Sequence, residues 1–139
     1  MELLDTQKAE PRWLELYDGA RVLAAPGGAA MVYAARARAD ALVVTLKEAG
    51  EAVTKAGGVV SGLPDLSDPA DERGVWDAMF ALSLGELAIV DWEGVTIDRK
   101  PVAFKPELVT RLLGDTRAAD LFIARQMARH NAAVREGNA

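Results

Sequence analysis

The sequence predicts a mainly α protein: a helical domain with an N-terminal β-hairpin. Three observations lead there. The 139 residues are 50% apolar but only 6% aromatic, with alanine abundant, a composition that favours helix. Apolar residues recur at helical spacing from Met31 to Val53 and again from Val75 to Val90. Near the N-terminus an Asp-Gly pair separates two short apolar runs, the signature of a two-residue hairpin turn. The length predicts one domain, residues 11–136 with the hairpin at 11–25, after a flexible N-terminus of residues 1–10.

Pairing through Asp18-Gly19 sets Tyr17 opposite Ala20, Glu15 opposite Val22 and Trp13 opposite Ala24, leaving Leu14, Leu16 and Leu23 on the other face. A hairpin with two apolar faces must pack on helices or on another chain, and its outer edges are open to a further strand. After Pro26-Gly27-Gly28 a long helix is expected, with Met31, Ala35, Ala39, Leu42, Leu46, Ala49 and Val53 on its buried stripe. Residues Gly57 to Pro69 hold no period and read as a loop. A second helix begins with Asp68 as N-cap and Pro69 at its first position, and its first turn carries Asp71 and Glu72. It is apolar around most of its circumference, which suits a central helix or an interface. Gly94, left-handed, is expected to end it in a Schellman-type stop, Val95 folding back on Val90.

A turn follows at Asp98-Arg99-Lys100, Lys100 being held extended by Pro101, and Val102 and Phe104 anchor the next segment to the core. Pro106 starts a short helix that ends at Gly114. Asp115 then caps a last helix, whose apolar stripe is Ala119, Ile123, Met127, His130 and Val134. Gly19, Gly94 and Gly114 are thus the structural turn residues.

The formal charge of −5 opposes sequence-independent binding to nucleic acid. Without cysteine there are no disulfides, thiolate chemistry or sulfur-ligated zinc, and no apolar run has the roughly 20 residues that span a bilayer. Asp65, Asp68, Asp71 and Glu72 form the densest acidic patch but lack the spacing and glycine of an EF-hand loop; helix capping explains them better than calcium. His130, the sole imidazole, lies on an apolar stripe with no nucleophile or orienting carboxylate placed beside it. Gly27 and Gly28 match no phosphate-binding fingerprint and read as a hinge. Arg117, Arg125, Arg129 and Arg135 read as a solvated face, or a face for an acidic partner. The expectation is therefore a protein without enzymatic activity, cofactor or metal, which works by binding. Trp13, Tyr17, Trp76, Phe80, Trp92 and Phe104 are its candidate anchors, large aromatics of the kind enriched in interface hot spots, some of them needed for the core.

The order of WEGV (Trp92 to Val95), KPVAFKPEL (Lys100 to Leu108), LLGD (Leu112 to Asp115), a final helix and a terminal REGN resembles the tail assembly chaperones of long-tailed bacteriophages and prophages. A looser likeness runs through YDGARVLAAP and YAARARAD, while Lys105 stands where such proteins often have Thr or Ser before the proline. The resemblance implies a helical, homo-oligomeric protein in the cytoplasm of the bacterial host. It would bind the tape-measure protein, keep it soluble, help recruit the tail-tube protein and be absent from the finished particle. The alternative is a structural head-to-tail connector or minor tail protein.

Overall fold

The computed structural model describes residues 10–58 and 65–137, with side chains to residue 131. Residues 1–9, expected to be flexible, and the centre of the loop at 57–69 lie outside the described residues. The chain runs β1 (Arg12–Glu15), β2 (Arg21–Ala24), α1 (Gly28–Lys55), α2 (Pro69–Ala88), β3 (Ile89–Glu93), β4 (Thr96–Ile97), β5 (Lys100–Pro101), a 3-10 turn at Pro106–Leu108, α3 (Val109–Leu113) and α4 (Thr116–Gly137). The fold is mainly α with the N-terminal hairpin in place.

The hairpin turns at Asp18 and Gly19, whose φ values of 51° and 77° are those of a primed turn. Its register differs by one residue from the expected one: Trp13 faces Leu23, Leu14 faces Val22 and Glu15 faces Arg21. The cause is a bulge. Leu16 N–H donates to Ala20 O and Ala20 N–H to Tyr17 O, so two residues of one strand oppose a single residue of the other. The shift puts Leu14, Leu16, Val22 and Ala24 together on the buried face.

The largest correction concerns the end of α2. The helix stops at Ala88, and Ile89–Glu93 forms a strand on the free edge of β2, giving an antiparallel sheet in the order β1-β2-β3. β-Branched and aromatic side chains favour the strand, and Ala25 N–H closes the helix by donating to Ala88 O at 2.8 Å. A register shift between Leu23 and Ala24 leaves Val90 as an extra residue, so Ile89 and Trp92 both point inward although three apart. Three-residue spacing is also helical spacing, which is why the segment reads as helix. Gly94 accordingly ends no helix. It has φ 73° after β3, and a Cβ there would collide with the Gly19 carbonyl and lie 3.2 Å from Ala20 Cα. The turn at Asp98-Arg99 is the left-handed turn of the β4–β5 hairpin, with φ 51° and 64°. Gly114 closes α3 in a right-handed conformation, φ −68°.

The core lies between the inner face of the sheet and helices α1 to α4. Val22, Ala24, Ala35, Ala39, Leu84, Ala88 and Phe122 are fully buried. Small residues set the helix spacing: a Cβ on Gly85 would strike the Leu113 side chain and come 3.3 Å from Val109 Cγ1. Gly85→Val is expected to lower the unfolding free energy by about 1–3 kcal/mol through overpacking, read from urea denaturation. The buried line of α4 is Ala118, Phe122 and Gln126, with Ala119, Ile123, Met127 and His130 only half-buried. It is thus displaced by one residue from the expected stripe, because α4 also turns a face toward β1.

That face explains two arginines. Arg125 Nε donates to Glu15 O at 2.5 Å, and Arg129 donates to Ala24 O at 2.7 Å and Glu10 O at 2.5 Å. Gln126 Nε2 adds a bond to Ala25 O at 2.9 Å. Arg125 and Arg117 remain exposed as expected, but Arg129 is half-buried, and Arg125 and Arg129 tie α4 to backbone carbonyls of the N-terminal segment rather than facing solvent alone; the side chain of Arg135 lies outside the described residues. Burial, then the neighbouring Arg12 charge, lowers the pKa of Arg129. Arg129→Met keeps the stem and removes both hydrogen bonds from α4 to the N-terminal segment, and is expected to cost about 1–3 kcal/mol, measured by thermal unfolding.

Candidate functional site

α1 has 28 residues and is about 42 Å long. Its buried positions are Val32, Ala35, Ala39 and Val43. α2 runs back antiparallel to it, as three contacts fix. Arg38 lies 4.0 Å from Glu86, Trp76 Nε1 donates to Asp40 at 2.7 Å, and Lys47 pairs with Glu72 at 2.7 Å. Burial on α2 begins at Phe80. From Leu42 on α1, and before Phe80 on α2, the two helices form an arm, each the other's main neighbour.

This arm breaks the expected pattern. Ala35 and Ala39 are buried as the stripe requires, but Leu42, Ala49 and Val53 are exposed, Leu42 at 41% and Val53 at 36%. The stripe continues past the body that would have covered it. A second line on α1 carries Tyr33 and Val44, exposed at 65% and 53%. The Arg38–Glu86 contact marks the edge where the first line meets α2: Leu42 follows Arg38 by one turn, and Leu82 and Val75 share the side of Glu86 at four and eleven residues. Both are half-buried and Leu82 packs against the core, while Leu42, Leu46 and Val53 carry an apolar line along α1 beyond it.

The opposite flank of α2 holds an aromatic cluster. Trp76 stacks on Phe80 with centroids 5.4 Å apart, and the Arg73 guanidinium lies 5.7 Å from the Trp76 ring. Pro69, Glu72, Arg73 and Trp76 line an open depression of about 330 Å³. The acids near the start of α2 have structural work: Asp68 accepts from Ala70 N–H at 2.8 Å as N-cap, and Asp65 accepts from the Ser67 N–H and hydroxyl. No group of three or more metal-ligating side chains is found among the described residues.

The six aromatic anchors do not form one patch. Phe80 and Trp92 are buried in the core, and Phe104 packs edge-on against Trp92 at 5.2 Å, whose Nε1 donates to Val102 O. Trp13 lies half-buried on the outer face of the sheet under Arg21, 4.3 Å from the guanidinium. Tyr17 donates to Asp115 at 2.5 Å beneath Arg117. Trp76 alone of the six stands on the arm.

The Tyr17 bond, followed by the Ala118 N–H, lowers the pKa of Asp115 below the ordinary carboxylate value. A depressed carboxylate pKa stabilises above the unfolded-state value, and that stability is lost as pH falls through the folded-state value. Tyr17→Phe is therefore expected to raise the Asp115 pKa toward that of a free carboxylate, followed by NMR titration, and to flatten the acid limb of the stability profile.

Helical periodicity places Leu42 and Val53 on one stripe with the buried Ala35 and Ala39, and gives no sign of the exposed Tyr33 and Val44. The available signal was length, since the helical pattern outlasts what a body of this size can cover. No described helix is long and apolar enough to cross a membrane. Compared with protein-family models, curated proteins and solved structures, the chain matches none of them.

Proposed function

We propose that this protein is a non-enzymatic tail assembly chaperone, which binds the tape-measure protein in the bacterial cytoplasm, keeps it soluble and helps recruit tail-tube subunits. The observation that carries the reading is the apolar strip on the arm, from Leu42 to Val53 on α1. Exposed apolar residues aligned along a helix mark a protein-binding surface, and one helix laid along another is the usual way such a line is covered. A long helical client offers complementary lines repeatedly, so many copies can coat one chain. The order of motifs from Trp92 to Asp115 supplies the specific assignment, and in the fold these residues build the joint between α2 and the C-terminal helices.

The test is co-expression with the tape-measure protein of the same genome. A chaperone is expected to bring the long protein into the soluble fraction in a complex with several copies of this chain. A tape-measure protein that stays insoluble, with this chain found instead in purified particles, would favour the connector alternative.

A further inference from the structure

The antiparallel register fixes which backbone groups of the sheet face outward, because each residue turns its N–H and C=O to one side and neighbours alternate. Leu16 N–H donates to Ala20 O beside the turn, so Leu14 and Val22, paired two residues further on, bond to each other, and Arg21 and Leu23 bond to β3. Ala25 N–H, which donates to Ala88 O, keeps the same alternation. The backbones of Glu15 in β1 and Trp92 in β3, opposite Arg21 and Val22, therefore point away from the sheet. Each is already engaged by a side chain. Arg125 donates to the Glu15 carbonyl, with α4 packed along β1. Trp92 N–H donates to the Asp91 carboxylate at 2.8 Å. Among the described residues no strand lies beyond β3.

We infer that Asp91 guards the β3 edge against strand addition by a second copy of this chain. An open edge strand is a template for pairing, and Val90, 47% exposed beside Asp91, would add apolar contact to that pairing. Asp91 opposes it twice. Its carboxylate occupies the outward N–H that an incoming strand needs, and its charge would meet the acids of the second copy's own β3, Asp91 and Glu93. Val90, the extra residue of the strand, also breaks the alternation that a regular ladder requires. β1 has its own protection in α4 and Arg125, which leaves β3 as the edge where one side chain decides the outcome. The inference does not depend on the proposed function: it confines self-association of the wild-type chain to surfaces other than this edge.

The test uses the purified full chain. Asp91→Val removes both the acceptor and the charge from an exposed position, and is expected to add self-association with a dissociation constant at least about tenfold below any that the wild type shows in sedimentation equilibrium. Asp91→Asn keeps the oxygen and is expected to sediment as the wild type does. Amide exchange followed by NMR tells strand pairing from contact through side chains: the Trp92 N–H of Asp91→Val is expected to exchange more slowly as concentration rises and a second strand takes it up. Sedimentation of Asp91→Val unchanged from wild type would overturn the inference. So would association of Asp91→Asn as strong as that of Asp91→Val, or a Trp92 amide indifferent to association. Should Asp91→Val not fold, Asp91→Ala at a single low concentration decides the hydrogen bond: its Trp92 amide is expected to exchange about tenfold faster than that of the wild type, and equal rates would overturn the inference.

Discussion

Phe122→Ala is expected to lower the unfolding free energy by about 3–5 kcal/mol, a large part of the roughly 5–15 kcal/mol that holds a domain of this size. Phe122 is fully buried on α4 and the largest of the fully buried side chains, in a core cluster that includes Leu84, Val109 and Ala118, so its truncation leaves a cavity that the close-packed surroundings fill only in part. The neighbouring Ile123→Ala is the control. Ile123 is only half-buried, so its truncation is expected to cost markedly less. Urea unfolding of both variants gives the order. If Ile123 proved the costlier loss, α4 would be rotated toward the stripe read from sequence, and the contacts of Arg125 and Arg129 with the hairpin would be wrong.

Gly94→Val is expected to have the second-largest effect, about 2–4 kcal/mol, from two causes that can be separated. A β-branched residue resists φ 73°, and any Cβ there meets the Gly19 carbonyl, because Gly94 follows Glu93, the partner of Arg21, and so lies against the β1–β2 turn. Gly94→Asn tests the second cause alone, since asparagine tolerates the left-handed region but still carries the Cβ. It is expected to remain destabilising by about 1 kcal/mol or more. Gly19→Asn, at φ 77° with no atom near the added Cβ, is expected to cost only a few tenths of a kcal/mol. Equal effects of asparagine at the two sites would mean that the approach of Gly94 to Gly19 is absent.

The sequence made local chemistry legible. Asp68 with Pro69, Asp115 before α4 and the Asp-Gly turn all appear where short-range rules place them, because each depends on a few neighbouring atoms, whereas Gly94 has the expected left-handed φ but follows a strand instead of ending a helix. What was not legible depends on pairing across the chain. The bulge at Leu16-Tyr17 moves the hairpin register by one residue, and the extra residue Val90 lets Ile89 and Trp92 share a face at helical spacing. No local period distinguishes such a strand from one more helical turn; the free edge of β2, some 65 positions earlier in the chain, decides it. The contacts of Arg125 and Arg129 are illegible for the same reason, since their partners are backbone carbonyls of the hairpin.

The arm is a different case. Periodicity correctly found the apolar line through Leu42, Leu46 and Val53 but cannot say what covers it, because core and interface faces have the same spacing. In the structure α2 covers the side nearest to it and leaves the rest to solvent. Among the candidate anchors, Phe80 and Trp92 carry the core, whereas the aliphatic Leu42 and Val53 carry the open surface.

The most direct test of the arm as a docking surface is co-expression of the tape-measure protein with the wild-type chain and with Leu42→Gln/Val53→Gln, scored by the amount of long protein in the soluble fraction. The wild type is expected to solubilise it and the double variant, equally folded, to fail. Equal solubilisation by the two would contradict the assignment of the strip as the binding surface, and insolubility with both would contradict the chaperone reading itself.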